Sequence, residues 1–455
     1  MGAVFEKVEK NKQWIAKAAN VAWPAILESF FVALVALVDS LMVSKVGAYA
    51  VAAVGLTTQP KFICLALFIA INTSVSALVA RRKGQGERES ANRILITAIT
   101  CVVVGVAIIS SVAVLFANEI IHIMGSEPDT HDSAVAYLRI IIGFTLFNCI
   151  SLVINAAQRG SGNTKVAMWT NITSNVINVI FNYLLIHGNL GFPALGIRGA
   201  AIATVLGTVV ACVMSIASLF RKDSFVSIPF MLEKRLFATK RALKDITSFA
   251  SNVCAEQLML RVGFLLSTML AANLGTEAFA AHQVGMNVMH LSFAFGEGLQ
   301  VAAVTLIGQS LGQEKPEMAK KYGNICQGVG LCISIGLSVL YLLFGRWFFQ
   351  LYFPNDPSIV EIGLIIMKFM IFIVLFQVSQ VVFMGSLRGA GDVRFTTITS
   401  MLSVAIVRPA ISYIAAYAMG LGVTGIWIGV LGDQLMRLIL TGARFRSGKW
   451  TTKKI

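Results

Sequence analysis

The sequence predicts an all-α polytopic membrane protein, with 12 transmembrane helices in two six-helix lobes related by a pseudo-twofold axis along the membrane normal. Three observations carry that reading. Mean hydropathy is +0.77, and only 13% of the 455 residues are charged, where soluble chains carry about 25%. Twelve apolar segments follow one another along the chain. Landmarks of the first half also recur in the second at nearly one period.

The segments run roughly over 20–46, 50–79, 94–118, 134–158, 165–187, 195–220, 245–273, 277–307, 322–349, 359–387, 394–419 and 422–443. Crossing a bilayer takes about 20 predominantly apolar residues. Residues 1–19 hold Lys7, Lys10, Lys12 and Lys17 without an apolar core or cleavage-site pattern. They read as a cytoplasmic N-terminal segment, not a cleaved signal peptide. Basic residues favour the cytoplasmic side, and they gather after the even-numbered segments. Arg81, Arg82, Lys83, Arg88 and Arg93 follow the second segment, and Arg159 and Lys165 the fourth. The loop 221–244 carries Arg221, Lys222, Lys234, Arg235, Lys240, Arg241 and Lys244. Lys315, Lys320, Lys321, Arg388 and Arg394 continue the series, and Arg444, Arg446, Lys449, Lys453 and Lys454 end it in a basic tail, 444–455. The opposite side has Lys45, Arg198 and Arg346 at or near its loops, with Arg139 just inside segment four. Both termini are therefore expected in the cytoplasm. The division that follows is an N-lobe over 20–220, an inter-lobe linker over 221–244 and a C-lobe over 245–443.

The repeat rests on four landmarks. Arg159-Gly-Ser-Gly-Asn163 is answered by Arg388-Gly-Ala-Gly-Asp392, 229 residues later. Gly47 matches Gly275, Glu28 matches Glu256, and Gly84-Gln85 matches Gly312-Gln313, each at an offset of 228. Six segments per half is an even number, so both halves enter from the same side and the repeat is parallel, with a substrate site expected in the cleft between halves.

Polar groups inside the apolar segments are the functional candidates. The first segment holds two acids, Glu28 and Asp39. Eleven residues make three turns plus about 20°, so both point the same way, about 16 Å apart. A carboxylate at mid-membrane costs about 2.5–3.5 kcal/mol or more and normally faces a cavity, a partner or a transported ion. In segment five Asn171, Asn175, Asn178 and Asn182 fall at i, i+4, i+7 and i+11, a single helical face. With Asp39, and Thr204 of segment six, this face suggests a cage of oxygens for a hard monovalent cation such as Na⁺. The same ladder would also serve as interhelical hydrogen-bond glue. Segment eight places Gln283, Asn287 and His290 on one face, His290 titrating near neutral pH if it relays protons. Gln377 and Gln380 lie in segment ten, while Met259, Met269, Met286 and Met289 offer an adaptable apolar lining. Arg408 stands where the repeat places Asn182, with Glu256 or Asp433 as its expected counter-ion. Pro24, Pro60 and Pro409 mark expected bends.

The seven cysteines lack CxxC spacing and read as buried apolar residues. The net charge of +15 lies in loops and not on one basic face, which argues against a nucleic-acid partner. No Walker A run exists, the five histidines form no HExxH, and Gly432-Asp433 has Val430 where an aspartyl protease would need glycine. No enzyme is expected.

Several stretches carry a family likeness: LVDSLMVSKVGAYAVAAVGL, NTSVSALVARRKGQGERESANR, the RGSGNTK and RGAGDVR pair, and NYLLIHGNLGFPALGIRGAAIAT. From about Ala22 to Gly442 the chain resembles the multidrug and toxic compound extrusion (MATE) family. The resemblance implies a bacterial transporter of two six-helix lobes in the cytoplasmic membrane, exporting cationic amphipathic drugs in exchange for Na⁺ or H⁺. It implies no other cofactor, small organic cations and the bilayer as partners, and a monomer. In its terms Asp39 matches the first-helix acid, and Asn178 and Thr204 match cation-site residues of Na⁺-linked members. Glu256 matches the seventh-helix acid of the NorM-like branch. Two positions depart from the pattern: Asn182 and Gln377 stand where relatives often carry acids, leaving Asp39 and Glu256 each without its second carboxylate. The function implied is a cation-coupled antiporter in which Glu256 and Glu28 hold a cationic substrate. The alternative is a lipid-linked precursor flippase of the same superfamily, which needs a more basic cleft than Lys61, Arg261, Lys368 and Arg408 supply.

Overall fold

A computed structural model describes residues 2–221, 224–354 and 356–453; Lys222 of the linker and Lys454 of the tail lie outside the described residues. The architecture is helical nearly throughout. In chain order stand α1 (Gly2–Ser44), α2 (Ala48–Gln85), α3 (Arg88–Leu115), the short α4 (Ala117–Ile123), α5 (Pro128–Gly143), α6 (Thr145–Gly160), α7 (Thr164–His187) and α8 (Gly196–Ser218). A short α9 (Ile228–Glu233) precedes α10 (Lys240–Ala272), α11 (Thr276–Gly312), α12 (Pro316–Tyr352), α13 (Pro357–Gly389), α14 (Val393–Met401), α15 (Arg408–Tyr413) and α16 (Val423–Arg446).

Among the described residues ten helices are long and apolar enough to cross a membrane, and α5 with α6, bent by 45°, make an eleventh if the pair crosses as one span. The twelfth is α7, 24 residues long, whose asparagine ladder makes it less apolar than the others. The eleventh segment is not plain α-helix. Two π-helical stretches, Leu402–Val407 and Ile414–Ala418, flank α15, and Pro409 lies in its first turn, where a missing N–H is tolerated. By contrast α1 and α2 run on through Pro24 and Pro60. The N-terminal residues from Gly2 are helical and run continuously into the first membrane helix.

Contacts divide the chain into two compact units: Phe30–Cys254 (the N-unit), and the residues up to Ser29 together with those from Ala255 on (the C-unit). The divisions fall inside α1 and α10, at corresponding places in the repeat, and not at the linker. The first half of α1 belongs to the C-unit because Gly298 of α11 carries no side chain; a Cβ there would lie 2.6 Å from the Ile26 nitrogen. The linker is fastened within the N-unit. Arg88 donates to the Ser224 carbonyl (2.8 Å) and the Phe225 carbonyl (3.1 Å), Asn92 holds Phe225 and Ser227, and Thr97 accepts from the Thr239 N–H. In the C-unit the tail is likewise ordered: Arg444 donates to Asp392 at 2.7 Å, and Trp450 stacks on Phe445 at 5.0 Å.

The repeat is visible in the backbone. Gly162 and Gly391, partners in the Arg-Gly pair of motifs, have φ of 91° and 88°. Gly86 and Glu314, one period apart, both sit left-handed at helix ends, at 76° and 57°. The conformation persists although the second site carries a side chain that disfavours it.

Candidate functional site

In the N-unit the first site is built where α1, α7 and α8 meet. The approach of α8 to α7 depends on two glycines. A Cβ on Gly199 would overlap the Leu185 carbonyl, and one on Gly207 would lie 2.8 Å from the Ser174 carbonyl. Small residues at such contacts let helix backbones close, and Thr204 lies between these two points, facing Asn178. Asn178 and Asn182 are buried, while Asp39 and Thr204 are half-buried. Asn182 Nδ2 donates to Asp39 Oδ1 at 2.8 Å. The Asn178 amide reaches Thr204 Oγ1 at 3.2 Å. With its O and N exchanged it satisfies more partners, donating to both Asp39 oxygens (2.8 and 3.1 Å) and accepting from the Thr204 hydroxyl and N–H. We adopt the exchanged orientation, because a carboxylate accepts and does not donate. The structure thus joins Asp39, Asn178, Asn182 and Thr204 in one hydrogen-bonded group.

Chemically this is one carboxylate, two amide oxygens and a hydroxyl. Asn182 Oδ1 is buried and has no hydrogen-bond partner. An orphaned acceptor beside a carboxylate fits a monovalent cation, which takes oxygen ligands, and a proton on Asp39 fits as well. Lys61 of α2 and Tyr137 of α5 are electrostatic neighbours of Asp39. Lys61 was legible as a basic residue within a membrane segment, but nothing in the sequence placed it beside Asp39.

The C-unit candidates do not form one cluster. Glu256 is buried, and Arg388 Nη2 donates to both of its oxygens at 2.7 Å. Glu256 therefore belongs to the Arg-Gly motif, and Arg408 has a different neighbour, Asp433. Glu297 of α11 is a further acid whose electrostatic partner is the same Arg388. Sequence reasoning missed it, although an acid within Gly296-Glu297-Gly298 of a membrane segment was a readable signal. Glu28 is buried in α1, and Gln377 is buried with an orphaned Oε1. Gln283, Asn287 and His290 are exposed along α11, Met259 is half-buried, and Met286 touches Arg408. Among the described residues no group of three His, Cys, Asp or Glu side chains is arranged to hold a metal ion.

Comparison with known proteins follows this geometry. The sequence profile of MatE matches residues 24–184 and again 253–414, starts spaced as the internal repeat is. The chain is 27% identical over 440 residues to a probable multidrug resistance protein NorM of Thermotoga maritima, covering 96% of this chain and 93% of that one. It is 24% identical to the uncharacterized transporter YisQ of Bacillus subtilis over 95% of this chain and 94% of that one. Among solved structures, an outward-facing multidrug resistance MATE family transporter of the MOP superfamily superposes with a TM-score of 0.88 at 20% identity, over 96% of this chain and 97% of the other. A MOP superfamily transporter from Pyrococcus furiosus, described as having a binding pocket of reversed polarity, matches with the same score, identity and coverage.

Proposed function

The chain belongs to the MatE family, and from that premise we propose that it is a cation-coupled multidrug efflux antiporter, using Na⁺ or H⁺, that exports amphipathic and mostly cationic organic compounds by alternating access. It sits on this reading in the bacterial cytoplasmic membrane with both termini inside. The observation that carries the proposal is the hydrogen-bonded group at Asp39. A cation arriving there neutralises the carboxylate, and the Asn178 and Asn182 amides are then free to turn their oxygens toward it. When the cation leaves, the amides return to the carboxylate. The two arrangements make α1, α7 and α8 a two-state element that ion binding biases. Inward movement of one charge supplies about 2.3 kcal/mol per 100 mV, enough to drive export against a gradient. At Glu256 an organic cation must first displace Arg388, whose Nη2 donates to both carboxylate oxygens.

The test is efflux of a fluorescent organic cation from cells expressing the wild type or Asp39→Asn, with Na⁺ and pH gradients imposed separately. The expected result is export by the wild type on one of the gradients, which names the coupling ion, and its loss in Asp39→Asn. Export by Asp39→Asn at the wild-type rate would sink the reading.

A further inference from the structure

Among the described residues Arg408 is the largest charged side chain that is fully buried, at 0% exposure, and its surroundings do not neutralise it. Its Nη2 donates to the sulfur of Met286 at 3.6 Å, and its guanidinium lies 5.1 Å from the Phe264 ring centroid. Neither contact carries negative charge. Its Nε and Nη1 have no hydrogen-bond partner. Asp433, whose charge reaches it, is already engaged, accepting from Arg437 Nη2 at 2.8 Å and from Ser403 Oγ at 2.5 Å. Two guanidinium groups therefore share one carboxylate. A third cation, Arg261, acts with Arg408 on His290.

Two further polar groups without partners lie nearby: the charge of Arg408 reaches His282, and His282 leads on to Trp427. His282, Met286 and His290 fall at i, i+4 and i+8, on one stripe of α11. The ring of His282 lies 5.6 Å from that of Trp427 of α16, edge to face, and both residues are buried. His282 Nδ1 and Trp427 Nε1 have no hydrogen-bond partner. Arginine and tryptophan nitrogens only donate, and the neutral imidazole donates from one of its two nitrogens. An unpaired buried charge costs several kcal/mol. Water would satisfy the donors but leave the excess positive charge, whereas an anion answers both.

We propose that the C-unit holds a small monovalent anion at Arg408, beside Trp427 and His282, either a halide ion or the carboxylate of a zwitterionic substrate. Met286, half-buried against Arg408 and followed on the same stripe by the exposed His290, marks the side from which it enters. The site lies in the C-unit alone, on residues other than Asp39, and stands whether or not the Asp39 reading does.

The experiment is a thermal-unfolding titration of the full chain in lipid nanodiscs, at constant ionic strength in gluconate, whose polyol chain keeps it out of a buried site. Chloride, bromide or acetate replaces it stepwise. The expected result is a saturable rise in midpoint for the wild type. Trp427→Phe, which removes one donor and keeps the ring, should weaken the apparent affinity roughly tenfold, and Arg408→Gln should abolish the response. Should Arg408→Gln fail to fold, the wild type and Trp427→Phe still decide. A wild-type midpoint that does not respond, or identical titrations in the wild type and Trp427→Phe, would overturn the proposal in favour of water. Benzoate competing with chloride would identify a substrate carboxylate as the source, and response to halides alone a resident ion.

Discussion

At the scale of single residues, the Asp39 group is defined by what is absent from it as much as by what is present. Asn182 stands where the family resemblance implies a second acid, and here its amide donates to Asp39 instead. Lys61 brings a positive charge near the same carboxylate, so the group carries less negative charge than a site with two acids. Charge near a cation site acts directly on affinity, by about 1–2 kcal/mol per charge at partly hydrated separations. Both Asn182→Asp and Lys61→Met should therefore lower the half-saturating concentration of the coupling cation by roughly tenfold, and the double variant by more. Transport rates measured across a series of Na⁺ concentrations or external pH values check this. Unchanged half-saturation in both single variants would mean that neither side chain acts on the coupling ion. Asp39 itself was legible as an acid in an apolar run, and Asn178, Asn182 and Thr204 as its partners from helical spacing and family resemblance. Lys61 was not, because its proximity depends on how α2 packs against α1, which spacing within one helix does not encode.

At the scale of elements, the group stands or falls with the α7–α8 contact. Gly207 has the Ser174 carbonyl 2.8 Å from where its Cβ would be, and Asn178 Cβ at 3.2 Å. A leucine at 207 must push the helices apart, drawing Thr204 from Asn178. Gly207→Leu is expected to abolish cation-driven export and to destabilise the protein by about 1–3 kcal/mol, the usual cost of overpacking. Gly336→Leu on α12, where nothing lies within 4 Å of the added atom, should leave both unchanged. Equal export by the two variants would argue against close α7–α8 packing as a requirement. The position of α7 was readable from its asparagine spacing, and its bounds agree with the expected segment within one residue. The π-helical stretches around Arg408 were not readable, since their extra residue per turn comes from tertiary packing against α16 and not from propensity. Nor was the exchange of the first half of α1 into the C-unit, which rests on the backbone contact at Gly298. Glu297 has no acidic counterpart in the repeat, since position 69, one period earlier, is isoleucine.

At the scale of the whole molecule, the number of spans fixes which side each loop faces, and the count turns on α5 and α6. If this bent pair crosses the membrane, twelve spans place the N-terminus, the 221–244 loop and the C-terminal tail on one side. If it enters and returns, only eleven remain, and every loop after it changes side. Charge favours crossing, because Arg159 and Lys165 then join the basic residues at 81–93 and 221–244 on the cytoplasmic face. The packing agrees, since Gly160 at the end of α6 sits so close to α2 that a Cβ would be 3.1 Å from the Ala80 nitrogen. The end of α6 thus lies level with the end of α2, just before Arg81 and Arg82. With the N-terminus inside, the turn at Leu190, which is 84% exposed, must then face outward, and the exposed Lys449 inward. In a variant lacking all seven cysteines, Leu190→Cys should react with an impermeant maleimide in intact cells, and Lys449→Cys only after the membrane is opened. Re-entry of α5 and α6 would exchange the two results. That outcome would also leave Gly84-Gln85 inside and put Gly312-Gln313, its counterpart in the repeat, outside, five spans later, which a parallel duplication does not allow.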